Sequence, residues 1–331
     1  MRKRRIAAGV AVVAGVLVYV ANADRTVPEP GAQPTLLAHR GIAQRYDTTG
    51  MQPDTCTATR IVPPVHGYLE NTIASMRVSF EAGADIVEID VHPTTDGQFA
   101  VFHDWTLDCR SDGHGVTREH SMAQLKALDI GYGYTADGGK TFPLRGRGVG
   151  LMPSLDDVLA AFPRQRFLIN VKSRDPAEGE ALARVLNAMT PERRRDFMAY
   201  GGDEPMARLR QLSPDVPTLT RSGLKSCLLR YAALGWSGHV PEACRGMPVM
   251  VPINVAPWLW GWPGRFQARL RDVGSTPFLI GPYEGEGFST GIDTPDDMRR
   301  VPTGYTGGIW TNEIEAAAHA FKGRSPTASF P

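Results

Sequence analysis

The chain has no long internal hydrophobic run, no Cys-x-x-Cys pair, no internal repeat and no low-complexity segment. Each absence removes a class of protein. Without further apolar stretches of about 20 residues, the body does not thread a bilayer repeatedly. Without closely spaced cysteine pairs, zinc-ribbon and thioredoxin-like chemistry has no ligands. Strong charge of one sign is missing too: 36 Lys and Arg stand against 35 Asp and Glu, for a formal net charge of +1. Arg2, Lys3, Arg4 and Arg5 carry that surplus, and the remainder is slightly acidic. Nucleic-acid binding needs a basic face, so no nucleic-acid partner is expected. What is present is a chain of 331 residues, 42% hydrophobic and 21% charged, which suffices for a buried core.

The first residues read as an address. MRKRR precedes an apolar run from Ile6 to Val20, followed by Ala21-Asn22-Ala23. Residues 1–23 are therefore either a secretory signal peptide or an N-terminal membrane anchor. Both readings export the body, to a periplasmic or extracellular site or to one attached to the membrane. Residues 24–34, with several prolines, read as a linker to a single domain over residues 35–331. Export also governs the cysteines. Cys56, Cys109, Cys227 and Cys244 are an even number in an oxidising compartment, which favours two disulfides with three pairings open.

The body alternates strand and helix. Apolar strands are expected at 35–39, 85–91, 99–103, 166–172, 196–201, 218–220, 249–255, 277–281 and 308–310. Helical spacing fills most intervals, including 71–82, 177–189, 204–212 and 224–234. Ser154 is expected to cap a helix with Asp157 at its third position. Such alternation gives a parallel sheet. The first turn lacks a glycine-rich fingerprint, which favours a (β/α)8 barrel of the TIM type over a Rossmann fold.

In such a barrel the active site lies at the C-terminal ends of the strands. Successive strand ends here read His39-Arg40-Gly41, Glu88-Ile89-Asp90, His103-Asp104 and Asn170-Val171-Lys172. Strand side chains alternate, so Glu88 and Asp90 point the same way, into the barrel. Two inward carboxylates repel unless a divalent cation joins them, and oxygen ligands suit Ca2+ or Mg2+. His39 and His103 add imidazoles able to take or give a proton near neutral pH. His66 and His92 are second-tier candidates, and the remaining histidines are read as structural.

These motifs resemble the glycerophosphodiester phosphodiesterase family. The likeness runs through His39-Arg40-Gly41, Leu69-Glu70-Asn71-Thr72, Gly83-Ala84-Asp85, Glu88-Ile89-Asp90-Val91, the turn Thr95-Asp96-Gly97 and His103-Asp104. It continues in Leu125-Lys126-Ala127-Leu128-Asp129 and Met152-Pro153-Ser154-Leu155, and weakens after residue 172. It implies a metal-dependent hydrolase of small-molecule glycerophosphodiesters. His39 and His103 would be the catalytic acid–base pair. Glu88 and Asp90 would be metal ligands, and Arg40, Glu70 and Lys172 would bind substrate. The family usually carries another carboxylate two residues before the lysine, and Asn170 stands there instead. As a metal ligand Asn170 keeps an oxygen and loses a charge.

A second departure is an insertion over residues 47–68, which brings Cys56 to the active-site face. Cys109 follows the His103 strand on that face, so Cys56–Cys109 and Cys227–Cys244 are the expected disulfides. Arg145 and Arg147 are either an exposed basic loop or further phosphate contacts. Alternative functions are a phospholipase-like lyase giving a cyclic phosphate and a non-catalytic exported binding protein. The near-elbow Gly235-Trp236-Ser237-Gly238-His239 misplaces its last glycine for a serine hydrolase.

Overall fold

The computed structural model describes residues 12–13, 15–24, 31–52, 55–285 and 290–323. Most of the expected leader, and residues 25–30 of the expected linker, lie outside the described residues. Residues 12–13 and 15–22 are helical. Among the described residues no helix is long and apolar enough to cross a membrane. The end of this segment rests on the body, where Arg269 Nη2 donates to Ala21 O at 3.0 Å and Arg265 Nε to Ala23 O at 2.8 Å.

Eight parallel strands form a nearly closed barrel. They are β1 (Thr35–His39), β2 (Ile86–Pro93), β4 (Arg166–Val171), β5 (Phe197–Gly201), β6 (Thr218–Thr220), β7 (Pro248–Pro252), β8 (Thr276–Ile280) and β9 (Gly308–Thr311). The ladder order is β6-β5-β4-β2-β1-β9-β8-β7, and the seam lies between β6 and β7. Strands buried on both faces need continuous apolar runs, as Ile86-Val87 and Phe167-Leu168-Ile169 supply. The principal helices are α1 (Ile73–Ala82), α2 (Met122–Lys126), α3 (Leu155–Ala161), α4 (Pro176–Asn187), α5 (Pro191–Arg194), α6 (Asp203–Leu212), α7 (Arg221–Leu234), α8 (Gly264–Arg271), α9 (Pro295–Arg300) and α10 (Ile314–Lys322). Ser154 caps α3 in a capping box with Asp157, as expected.

One expected barrel strand is different. The segment Phe99–Val101, β3, runs antiparallel to β2, with Val91 opposite Val101 and Pro93 opposite Phe99. β2 overshoots the barrel rim, turns at Asp96-Gly97, and the chain folds back. Alternation of apolar residues marks a strand but not its partner or direction. The hairpin has a use: Phe102 N–H donates to Asp90 O at 3.0 Å, so the chain returns to the level of Asp90 just before His103.

The described residues form two apolar cores. One fills the barrel and its helical wall, including Leu37, Ile89, Ile169, Phe197 and Leu279. The other lies under the long connections on the active-site side, including Ala58, Leu69, Phe102, Leu107, Leu125, Tyr134 and Met152. Both expected disulfides are present, with sulfur separations of 2.03 Å for Cys56–Cys109 and 2.09 Å for Cys227–Cys244. Cys56–Cys109 ties the insertion to the segment after His103.

Candidate active site

Register sets the floor of the site. His39 pairs across from Glu88, and Asp90 lies level with Asn170, which in turn faces Tyr200. Glu88 and Asp90 are both 0% exposed. Where β1 ends, Arg40 adopts φ 59°. That left-handed conformation is costly for a residue with a Cβ. It is held by Arg40 N–H donating to Glu88 O at 3.0 Å and Arg40 O accepting from Asn71 N–H at 2.9 Å. The next residue must be glycine. A Cβ on Gly41 would sit 2.5 Å from Ser75 Oγ and 3.0 Å from the Ser75 carbonyl carbon.

Asp90 is held from several sides. Its Oδ1 accepts from Asn170 Nδ2 at 2.8 Å and its Oδ2 from Asn71 Nδ2 at 3.0 Å, while its own N–H donates to Asn71 Oδ1 at 3.1 Å. Lys172 Nζ lies 3.5 Å from Oδ1 and Arg40 Nε 3.2 Å from Oδ2. Burial alone would raise this carboxyl, but Lys172 and Arg40 hold it well below its usual range. Glu88 is the opposite case. Tyr200 Oη donates to its Oε1 at 2.6 Å, and its buried Oε2 has no hydrogen-bond partner. Burial, then the charge of Asp90, push Glu88 well above the usual carboxylate range.

The two histidines are held by different chemistry. His39 Nδ1 lies 2.7 Å from Asn312 Oδ1, and Asn312 Nδ2 is spent on Asp293 Oδ2 at 2.7 Å. Nδ1 must therefore be the donor, which leaves Nε2 with a lone pair, 3.8 Å from Glu88 Oε2. Burial and the Arg40 charge push His39 down to about 3. His103 Nδ1 instead lies 2.6 Å from the Asp104 carboxylate. Burial and Arg40 lower His103 as well, with Asp90 and Asp104 opposing.

Glu70 spends its oxygens on two guanidinium groups, Arg40 Nη1 at 3.0 Å and Arg110 Nη1 at 2.9 Å. Burial would raise it, but Arg110 and Arg40 bring it below its usual value. Of the second-tier histidines, His92 is 1% exposed and its Nε2 reaches His103 O at 3.4 Å, supporting backbone rather than substrate. His66 Nδ1 lies 3.1 Å from Gln44 Nε2. Arg145 stacks between Tyr132 and Phe142, 3.8 Å from each ring centre, and its Nε donates to Tyr132 O. Asn71, Tyr200, Asn312, Asp293, Asp104 and Arg110 carry no role in the sequence reading. Asn71 and Asp104 stand inside the motifs Leu69-Glu70-Asn71-Thr72 and His103-Asp104, and Asn312 closes Gly308-Ile309-Trp310-Thr311-Asn312, where the likeness is weaker; Tyr200, Asp293 and Arg110 carry no spacing signal. A cleft of about 410 Å³ lined by Thr35, Arg166 and Lys322 opens where the strands begin, at the other end of the barrel.

Whether these residues fit a divalent cation is decided mainly by Glu88. A buried carboxylate oxygen with no donor, beside a second carboxylate, is a place where a cation relieves both desolvation and repulsion. Asp90 and Asn170 supply further oxygens next to it, although Asn170 turns its amide nitrogen to Asp90 here. Among the described residues no three His, Cys, Asp or Glu side chains form a ready metal cluster. The oxygens on offer are those of two acids and one amide, Glu88, Asp90 and Asn170.

The molecule is thus an α/β barrel whose strand ends gather two imidazoles, two buried carboxylates and two cations over one floor. Residues 39–221 match the glycerophosphoryl diester phosphodiesterase family, and the chain belongs to it. A glycerophosphodiester phosphodiesterase of Bacillus subtilis (strain 168) is 30% identical over 166 residues, 46% of this chain and 55% of that protein. The chain thus spans about half the length of that relative. Among the solved structures that share the fold are two with TM-scores above 0.5. One is a glycerophosphodiester phosphodiesterase from Agrobacterium tumefaciens, with a TM-score of 0.54 at 23% identity, covering 87% of this chain and 98% of that one. The other is the glycerophosphoryl diester phosphodiesterase domain of a Mycobacterium tuberculosis protein, with a TM-score of 0.60 at 18% identity, covering 86% and 98%.

Proposed function

We propose that this chain hydrolyses small glycerophosphodiesters to glycerol phosphate and an alcohol, with a divalent cation, Ca2+ or Mg2+, and with His39 and His103 as base and acid. The observation that carries the reading is the unequal support of the two imidazoles. A neutral amide, Asn312, leaves His39 Nε2 unprotonated, while a carboxylate, Asp104, favours a proton on His103. Arg40 and Lys172 bind the phosphate oxygens. His39 Nε2 takes a proton from water as the water oxygen bonds to phosphorus. The bond from phosphorus to the departing oxygen breaks, and His103 Nε2 gives that oxygen a proton. Glu88 and Asp90, with the amide oxygen of Asn170, would hold the cation, which when bound neutralises charge on the phosphoryl oxygens.

A panel of glycerophosphodiesters, with phosphorus NMR of the products and with or without EDTA, tests this. Glycerol phosphate in the presence of Mg2+ or Ca2+, and none in chelator, is expected. A cyclic phosphate would assign the lyase reaction, and unchanged turnover in EDTA would contradict the cation. The same reading places the enzyme outside the cytoplasm, which the N-terminal pattern and two disulfides support. Recovery of the native protein from the cytoplasm would contradict that location.

A further inference from the structure

Arg110 sits where nothing in the proposed reaction requires a cation. It is 2% exposed, in the loop after His103, and each of its nitrogens is used. Nε donates to Asp104 Oδ2 at 2.7 Å, Nη2 to Thr57 Oγ1 at 2.8 Å, and Nη1 to Tyr134 Oη at 2.8 Å while ion-pairing with Glu70 Oε2 at 2.9 Å. Each carboxylate has its other oxygen on a working residue. Asp104 Oδ1 holds His103 Nδ1 at 2.6 Å, and Glu70 Oε1 holds Arg40 Nη1 at 3.0 Å. One buried guanidinium therefore joins the support of the proton donor to the support of the phosphate ligand.

We infer that Arg110 is a positioning residue, which sets His103 and Arg40 in a fixed relation through Asp104 and Glu70. The inference rests on the proposed hydrolysis and deepens it. Only a planar fork serves three directions at once, and an ammonium, being a point donor, cannot span them. The insertion takes part in the same support. Cys56 and Cys109 are bonded to each other, and the residues following them, Thr57 and Arg110, are hydrogen-bonded to each other. The covalent bond therefore fixes the segments whose hydrogen bond orients the guanidinium. The segment over residues 47–68 thereby becomes a brace for the acid.

The test compares wild type and Arg110→Lys on two glycerophosphodiesters that share the glycerol phosphate half. One releases an alkoxide, and the other p-nitrophenolate, which leaves without a proton. A loss of fold stability alone would lower turnover on both equally. The positioning role predicts a fall of about 10²-fold in kcat on the alkyl substrate and little change in kcat on the nitrophenyl one. KM should rise on both, because Arg40 is loosened. Circular dichroism and a thermal melt establish that the variant is folded. Thr57→Val and the double variant Cys56→Ala/Cys109→Ala should shift the same kcat ratio in the same direction by a smaller factor, and they decide the matter if Arg110→Lys does not fold. Equal losses on both substrates, or no loss in folded variants, would overturn the inference. Absence of turnover by wild type on both substrates would fail the proposed hydrolysis itself and is distinguishable on that ground.

Discussion

Tyr200→Phe removes one oxygen from the floor of the barrel. Tyr200 Oη is the donor to Glu88 Oε1 at 2.6 Å, and Oε2 has none, so the substitution leaves a fully buried carboxyl without any donor. The ring contact with Trp310, 6.1 Å between centres, survives in phenylalanine. A hydrogen bond to a charged group contributes about 1.5–3 kcal/mol. In the metal-free protein Glu88 escapes most of that loss by holding its proton more firmly, so stability should fall by no more than about 1–2 kcal/mol. The larger effect is on cation binding. The Tyr200 hydrogen bond opposes the upward push that burial and Asp90 give Glu88. Without it the carboxyl rises further, and a proton competes more strongly with the cation. Loss of a hydrogen bond that orients a ligand typically weakens metal affinity by about 10–100-fold. The assay is half-saturation of turnover by Mg2+ or Ca2+, measured at about pH 6 and about pH 9. Half-saturation should rise most at the lower pH, and kcat at saturating cation should stay near wild type. An unchanged half-saturation at the lower pH in a folded variant would refute Glu88 as a cation ligand.

Two further outcomes follow from the supports of the histidines. Asn312→Ala takes away the acceptor that fixes the His39 tautomer, and kcat should fall by about 10²-fold with KM little changed; a change confined to KM would contradict the tautomer argument. Asp104 and Glu70 are both held below their usual ranges when folded, Asp104 by Arg110 and His103 against burial. Depressed carboxyls add stability that is fully present above their unfolded values, near pH 4–5, and is lost as the pH falls through the folded ones. Chemical denaturation of wild type should therefore show stability falling more steeply below about pH 5 than in Asp104→Asn, and parallel curves would remove this network from the acid response.

The site was legible where chemistry sits in short runs at strand ends. His39-Arg40-Gly41 and Glu88-Ile89-Asp90 declare both their strand and their inward side chains, because alternation fixes the face once the strand is known. The barrel was legible from the spacing of apolar strands and helices. β3 was not, since its three apolar residues fit a barrel strand and a returning hairpin equally. Tyr200 and Asn312 were hidden for a different reason. They lie on or beside β5 and β9, where the motif likeness fades, and only the closure of the barrel brings them against Glu88 and His39. Arg110 carries no signal of its own: it follows a disulfide cysteine, and nothing in the spacing shows that its side chain bridges Asp104 and Glu70. Asn170 was visible as a missing charge, and its amide does turn to Asp90.

The opposed roles of His39 and His103 are tested most directly by leaving-group dependence in the two alanine variants. On an alkyl glycerophosphodiester, His39→Ala and His103→Ala should each lower kcat by about 10²–10⁴-fold. On the p-nitrophenyl ester, His103→Ala should recover most of its activity and His39→Ala should stay impaired. Near-normal turnover of the alkyl substrate by both variants, or rescue of His39→Ala in place of His103→Ala, would contradict these roles.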